Sequence, residues 1–153
     1  MLISMFALIV ASPVQAATFA DSPQGVGAGL VTGAITGLTV AHRTPGAQTA
    51  SAALGWNLGD TALNVQGEAQ WRVEELALEG DAGIMLELSA GGGVFADIYD
   101  SYSQLGLYVP VGFTVIPGDR PFDLFVSVAP GMRLVPATRF VSRGIVGMRV
   151  YFR

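Results

Sequence analysis

From residue 63 to residue 73 the chain alternates, with Leu63, Val65, Gly67, Ala69, Trp71 and Val73 on one set of positions and Asn64, Gln66, Glu68, Gln70 and Arg72 on the other. Side chains two apart share a face of an extended strand, so the segment predicts a strand with one apolar and one polar face. The same period recurs in Ala50, Ala52, Leu54, Trp56 and Leu58, in Leu105, Leu107, Val109, Val111, Phe113 and Val115, and in Phe122, Leu124, Val126 and Val128. Between them stand small or polar residues such as Ser51, Gly106, Gly112, Thr114, Asp123 and Ser127. Small residues on one face suit a closed, tightly curved sheet.

Turn formers punctuate these runs at Thr44-Pro45-Gly46, Gly59-Asp60, Pro117-Gly118-Asp119 and Pro136-Ala137-Thr138, with longer polar links over 74–83 and 97–103. Eight strands result, over residues 25–32, 37–43, 49–58, 62–73, 84–95, 104–116, 122–134 and 140–152. An outer-membrane strand needs about 9 to 11 tilted residues, and bacterial barrels take an even strand number from eight upward. The expected fold is therefore all-β: an eight-stranded antiparallel up-and-down transmembrane β-barrel.

The stretch GVGAGLVTGAITGLTVAH, residues 25–42, admits two other readings. Gly25, Gly29, Gly33 and Gly37 lie four apart, as on packed membrane helices, and Gly27, Gly29 and Gly33 approximate a dinucleotide loop. Gly, Thr and Val are inferior helix formers, and no strand of the required kind precedes the loop. A first hairpin is the better fit, with Val26, Ala28 and Leu30 facing out, Gly25, Gly27 and Gly29 facing in, and the turn at 33–37.

Composition sharpens the class. Of 153 residues 51% are apolar and 13% charged, with 20 glycines and no cysteine. No window offers the roughly 18 uninterrupted apolar residues of a spanning helix. A net charge of −4 argues against a nucleic-acid partner, which needs a basic face. Lack of cysteine removes disulfides and thiolate metal sites. At the start, MLISMFALIVASPVQA has an apolar core too short to span and ends in small residues, so residues 1–16 read as a signal peptide and 17–153 as one barrel domain; a buried N-terminal strand or helix is the alternative.

The last strand, GIVGMRVYFR, puts Val146, Met148, Val150 and Phe152 on one face and Gly147, Arg149 and Tyr151 on the other. It resembles the C-terminal signal of bacterial outer-membrane barrels, which the barrel assembly machinery engages; Arg153 after the aromatic residue departs from that signal. With SAALGWNLGDTALNVQGEAQWR and LGLYVPVGFTVIPGDRPFDLFVSVAPGMRLVPATRF, it is similar to small, functionally uncharacterised eight-stranded outer-membrane barrels of the kind of OmpX and the OmpA transmembrane domain. That resemblance covers most of 37–152 and implies a fold, a bacterial outer-membrane location and contact with outer-membrane lipid and lipopolysaccharide. It implies no activity.

Parity sends Arg43, Glu68, Arg72, Glu87, Asp123, Arg133, Arg143 and Arg149 inward. An eight-stranded barrel is just wide enough to be filled by side chains, so these residues are expected to plug the lumen as a structural charge network. An ion pathway gated by rearrangement of the pairs is the functional alternative. Trp56, Trp71, Phe113, Phe122, Phe140 and Phe152 fit membrane girdles, ordinary core filling being the competing reading.

A lipid A-modifying enzyme must also be weighed. The chain's one histidine, His42, is the sole candidate base, and parity sends it outward while Ser51 points inward. Asp97 and Asp100 are candidate divalent-cation ligands beside lipopolysaccharide, or else a solvated loop. The expectation is a monomeric barrel with a plugged lumen, a structural or surface-interaction role, no catalytic residue, no cofactor and no metal.

Overall fold

The computed structural model describes residues 23–46, 48–56, 62–78, 83–118 and 120–152. They form nine antiparallel strands: β1 (Gly25–Gly33), β2 (Thr36–Arg43), β3 (Gln48–Trp56), β4 (Leu63–Leu78), β5 (Ile84–Ile98), β6 (Ser103–Tyr108), β7 (Val111–Pro117), β8 (Phe122–Val135) and β9 (Arg139–Phe152). All belong to one sheet that closes in a ring, because β1 pairs with β9 from Val26↔Phe152 to Gly33↔Ile145. The signal-peptide segment 1–16 lies outside the described residues.

β6 and β7 pair with the same two neighbours, β5 on one side and β8 on the other, and so share one place in the ring. The single strand expected over 104–116 is thus two. Pro110 stands at the break and has no N–H to give the ladder. Its neighbours stitch the gap, Val109 N donating to Pro130 O at 2.9 Å and Gly91 N to Pro110 O at 3.0 Å.

Two polar links expected from sequence are in part strand. β4 continues to Leu78 through a bulge at Val73, where the register against β5 shifts between Arg72 and Glu74. The extra residue reverses the parity downstream, so Arg72 and Glu75 both turn inward while Val73 and Leu76 are exposed outside. β5 likewise runs past residue 95 to Ile98, which carries Asp97 into the sheet. The first hairpin turn narrows to Ala34 and Ile35, and the stretch on either side of it is strand, not helix.

Side chains sort by face. Val26, Leu30, Leu38, Val40, Leu54, Val65, Val94, Leu107, Phe113, Val126, Val146 and Val150 all stand exposed on the outside. Inside are Arg43, Asp123 and Arg149, at 3%, 0% and 5% exposure. The interior is also packed with apolar groups: Ile35, at the tip of the β1–β2 turn, folds in against Val31, Ala53 and Ile145, and Phe95, Tyr108 and Ala129 form a second cluster.

The interior rings and glycines are matched across strands. Tyr151 lies opposite Gly27, Tyr108 opposite Gly93, Phe95 opposite Gly106 and Phe125 opposite Gly147. A Cβ on any of these four glycines would overlap the facing ring. Each ring therefore lies flat over the space its cross-strand neighbour leaves, which lets large side chains fit a narrow bore.

Candidate functional site

The most organised chemistry in the molecule is the charge network across the interior. Arg149 on β9 donates from Nε to Asp123 Oδ1 at 3.1 Å and from Nη2 to Oδ2 at 3.2 Å. Asp123, at the start of β8, also accepts from Arg43 Nη2 at 3.3 Å and from the Tyr151 hydroxyl at 2.8 Å. Arg43 reaches across the ring to Glu87 on β5 at 3.3 Å, and Glu87 in turn pairs with Arg72 Nη2 at 2.9 Å. Arg72 Nη1 closes the series on Glu75 at 2.6 Å. Three guanidiniums thus alternate with three carboxylates.

Higher in the ring a second pair spans it. Arg143 on β9 contacts both oxygens of Asp97 on β5, at 2.9 and 3.2 Å, and extends Nη2 to Asn64 Oδ1 at 3.4 Å. Aromatic faces support the cations: Arg143 lies 4.5 Å from the Phe95 centroid and Arg149 lies 4.1 Å from that of Phe125.

Glu68 stands between the two groups and is held differently. It accepts from Ser51 Oγ at 3.1 Å, Gln70 Nε2 at 2.7 Å and the Tyr108 hydroxyl at 3.1 Å. Among the described residues it makes no ion pair. Beside it lies a cavity of about 20 Å³, reached by Arg43, Arg72, Glu87 and Arg149. That is space on the scale of one water molecule.

Seven of the eight residues that parity sends inward take part in these interior contacts; Arg133 does not. It sits near the end of β8, and its Nε donates to Ala137 O at 3.3 Å in the hairpin tip. Parity fixes the face of a strand a residue occupies but not its height, and Arg133 is above the packed interior. Glu75, Asp97 and Tyr108 belong to the interior and were not anticipated there, whereas Tyr151 stands on the face it shares with Arg149, as the alternation of the last strand expects. Asp97 faces Arg143 and so is no partner for Asp100, which is exposed in the β5–β6 turn; the cation-site reading of that pair is corrected. Among the described residues no group of three His, Asp or Glu side chains is placed to hold a metal ion.

His42 is exposed on the outer face, and Ser51 hydrogen-bonds Glu68 on the inner one. The wall separates them, so they cannot exchange a proton directly. The six aromatics expected at girdles all occupy outward positions: Trp56 and Phe140 at strand ends away from the chain termini, Phe122 and Phe152 at strand ends beside them, and Trp71 and Phe113 within β4 and β7. In the last strand Val146, Met148, Val150 and Phe152 are exposed outside, and Arg149 and Tyr151 are buried within. No protein-family model, curated protein or solved structure matches this chain.

Proposed function

We propose that this chain is a transmembrane β-barrel with eight staves, β6 and β7 counting as one, set in the bacterial outer membrane with a filled lumen and a structural or surface-interaction role. The observation that carries the reading is the inversion of polarity: the ring buries Arg43, Glu87, Asp97, Asp123 and Arg149 and turns most of its valines and leucines and both tryptophans outward. Soluble monomers rarely expose contiguous apolar patches beyond a few hundred Å². Hydrocarbon is a solvent for that outside, and a closed sheet is the β architecture that leaves no backbone group unsatisfied in it.

The likeness of the last strand to the outer-membrane assembly signal and the resemblance to OmpX-like barrels support the same location. In this reading residues 1–16 direct export, and the termini face the periplasm. Outer-membrane lipid and lipopolysaccharide surround a monomer. We read no catalysis, because the sole histidine lies across the wall from Ser51. The runner-up readings are a lipid A-modifying enzyme and a minor ion-conducting barrel; the second draws on the interior charges, yet the cavity among Arg43, Glu68, Glu87 and Arg149 is about 20 Å³.

Membrane fractionation of the tagged chain, with heat-dependent gel mobility of the detergent-folded protein, tests the proposal. The expected result is an outer-membrane band that migrates faster unboiled than boiled. A compact monomer that stays soluble in water without detergent would refute it.

A further inference from the structure

Arg133 on β8 and Arg139 on β9 are direct cross-strand partners in the hairpin at the end of the ring away from the chain termini. Residues opposite one another on antiparallel strands point to the same side with Cβ atoms about 5 Å apart, and like charges so placed repel. Inside the ring the arginines are compensated: Arg43, Arg72, Arg143 and Arg149 each face a carboxylate. Here neither is. Arg133 commits only its Nε, to Ala137 O, and Arg139 is exposed with no hydrogen bond or ion pair to the described residues. Asp97 is taken by Arg143, and exposed Asp100 in the neighbouring β5–β6 turn makes no ion pair with either. In a chain of net charge −4, two adjacent arginines that no carboxylate of the described residues neutralises form a local positive site.

We infer that Arg133 and Arg139 form a binding site for a phosphate group, the two guanidiniums gripping it from adjacent strands. A guanidinium presents a rigid fork of donors, and a tetrahedral phosphate offers oxygens to two forks at once, whereas a planar carboxylate matches one. The tether to Ala137 leaves both Nη groups of Arg133 available, and paired strands hold the two positions in fixed register. A bound phosphate would turn the repulsion between the arginines into two attractions. The site follows from register alone; only the assignment of its phosphate to a lipid headgroup rests on the membrane reading above.

Protein folded in a maltoside detergent, which carries no phosphate, is labelled with ¹⁵N, and the arginine Nε–Hε signals are followed during titration with inorganic phosphate and, separately, with phosphatidic acid doped into the micelles. Saturable shifts at Arg133 and Arg139 are expected with at least one probe. R139Q, which removes a guanidinium that has no hydrogen bond or ion pair to the described residues, should weaken binding about tenfold or more, the worth of a charge-assisted hydrogen bond. R120Q, at the opposite end, should bind as the parent does. Response to free phosphate supports a small-anion site, and response to phosphatidic acid alone supports a headgroup site. Silence with both probes, or undiminished binding by R139Q, overturns the inference, and neither result bears on whether the chain enters the membrane fraction.

Discussion

Removing the Asp123 carboxylate is expected to be the most damaging single change in the interior. It is fully buried and accepts from Arg149 twice, from Arg43 and from Tyr151. In D123A, Arg43 keeps Glu87 at 3.3 Å, but Arg149 is left without any other carboxylate in contact among the described residues, and the Tyr151 hydroxyl loses its acceptor. Breaking a buried pair by deleting one partner costs about 3–5 kcal/mol, mostly because a charge is stranded. That is a loss of roughly two to nearly four powers of ten in the folding constant. R149M in the same chain removes the stranded charge, so D123A/R149M should lose less than D123A alone, and the double-mutant cycle should show a coupling of about 2 kcal/mol. E87Q should cost less than D123A, since Arg43 and Arg72 keep Asp123 and Glu75 respectively. Urea unfolding from lipid vesicles, followed by emission of the outward-facing Trp56 and Trp71, measures all of these. A D123A loss below about 1 kcal/mol, or a cycle that is strictly additive, would refute the stranded-charge reasoning.

Three further outcomes follow from the same geometry. G147A drives a methyl into the Phe125 ring and should cost about 1–3 kcal/mol by overpacking in the same urea assay; an unaffected midpoint would mean that the glycine opposite the ring is not required. V126R places a charge on the outer face and should cost about 2–4 kcal/mol in bilayers of ordinary thickness, whereas F140R, at a strand end, should cost about 1 or less; equal costs would contradict the lipid-facing assignment. The folded wild-type protein should pass no steady current in planar bilayers, and a resolvable open level would show that the interior pairs part to admit ions.

Much of this was legible because period two is local. The outward sets on β3, β4, β7 and β8, and the inward course of Arg43, Glu87, Asp123 and Arg149, needed only the pleat of one strand. The bulge at Val73 was not legible, since the inserted residue is apolar and reads as one more member of the outward series; its consequence, Glu75 turned in beside Arg72, was lost with it. Asp97 was hidden by its polar neighbours, although Val94, Ala96 and Ile98 continue the outward alternation and could have carried β5 through it. The break at Pro110 leaves parity intact and so leaves no periodic trace, but the proline itself announces a missing donor. Arg133 shows the opposite limit, a correct face at a height that no alternation can report.

Hydrophobic alternation rejects half of the ways this ring could be assembled, and the interior must reject the rest. A slip of one residue between β8 and β9 would turn the outward valines, Val126, Val128, Val146 and Val150 among them, to the wrong face of one strand or the other, at a cost no folded state could bear. A slip of two keeps each valine outside, so solvation by lipid or by water is indifferent to it. What it destroys is pairing: at about 3.4 Å per residue it moves Arg149 nearly 7 Å along Asp123, and it sets the Phe125 ring against a position other than Gly147. Desolvation makes buried ion pairs poor sources of net stability compared with packed apolar groups. Their value here is in the difference between registers, since the alternating series from Arg149 to Glu75 and the four ring-over-glycine matches are satisfied together only in the pairing observed. The arginines that fill the ring thus act chiefly on which ring forms, and the pair outside it, free of that duty, is where charge remains for a ligand.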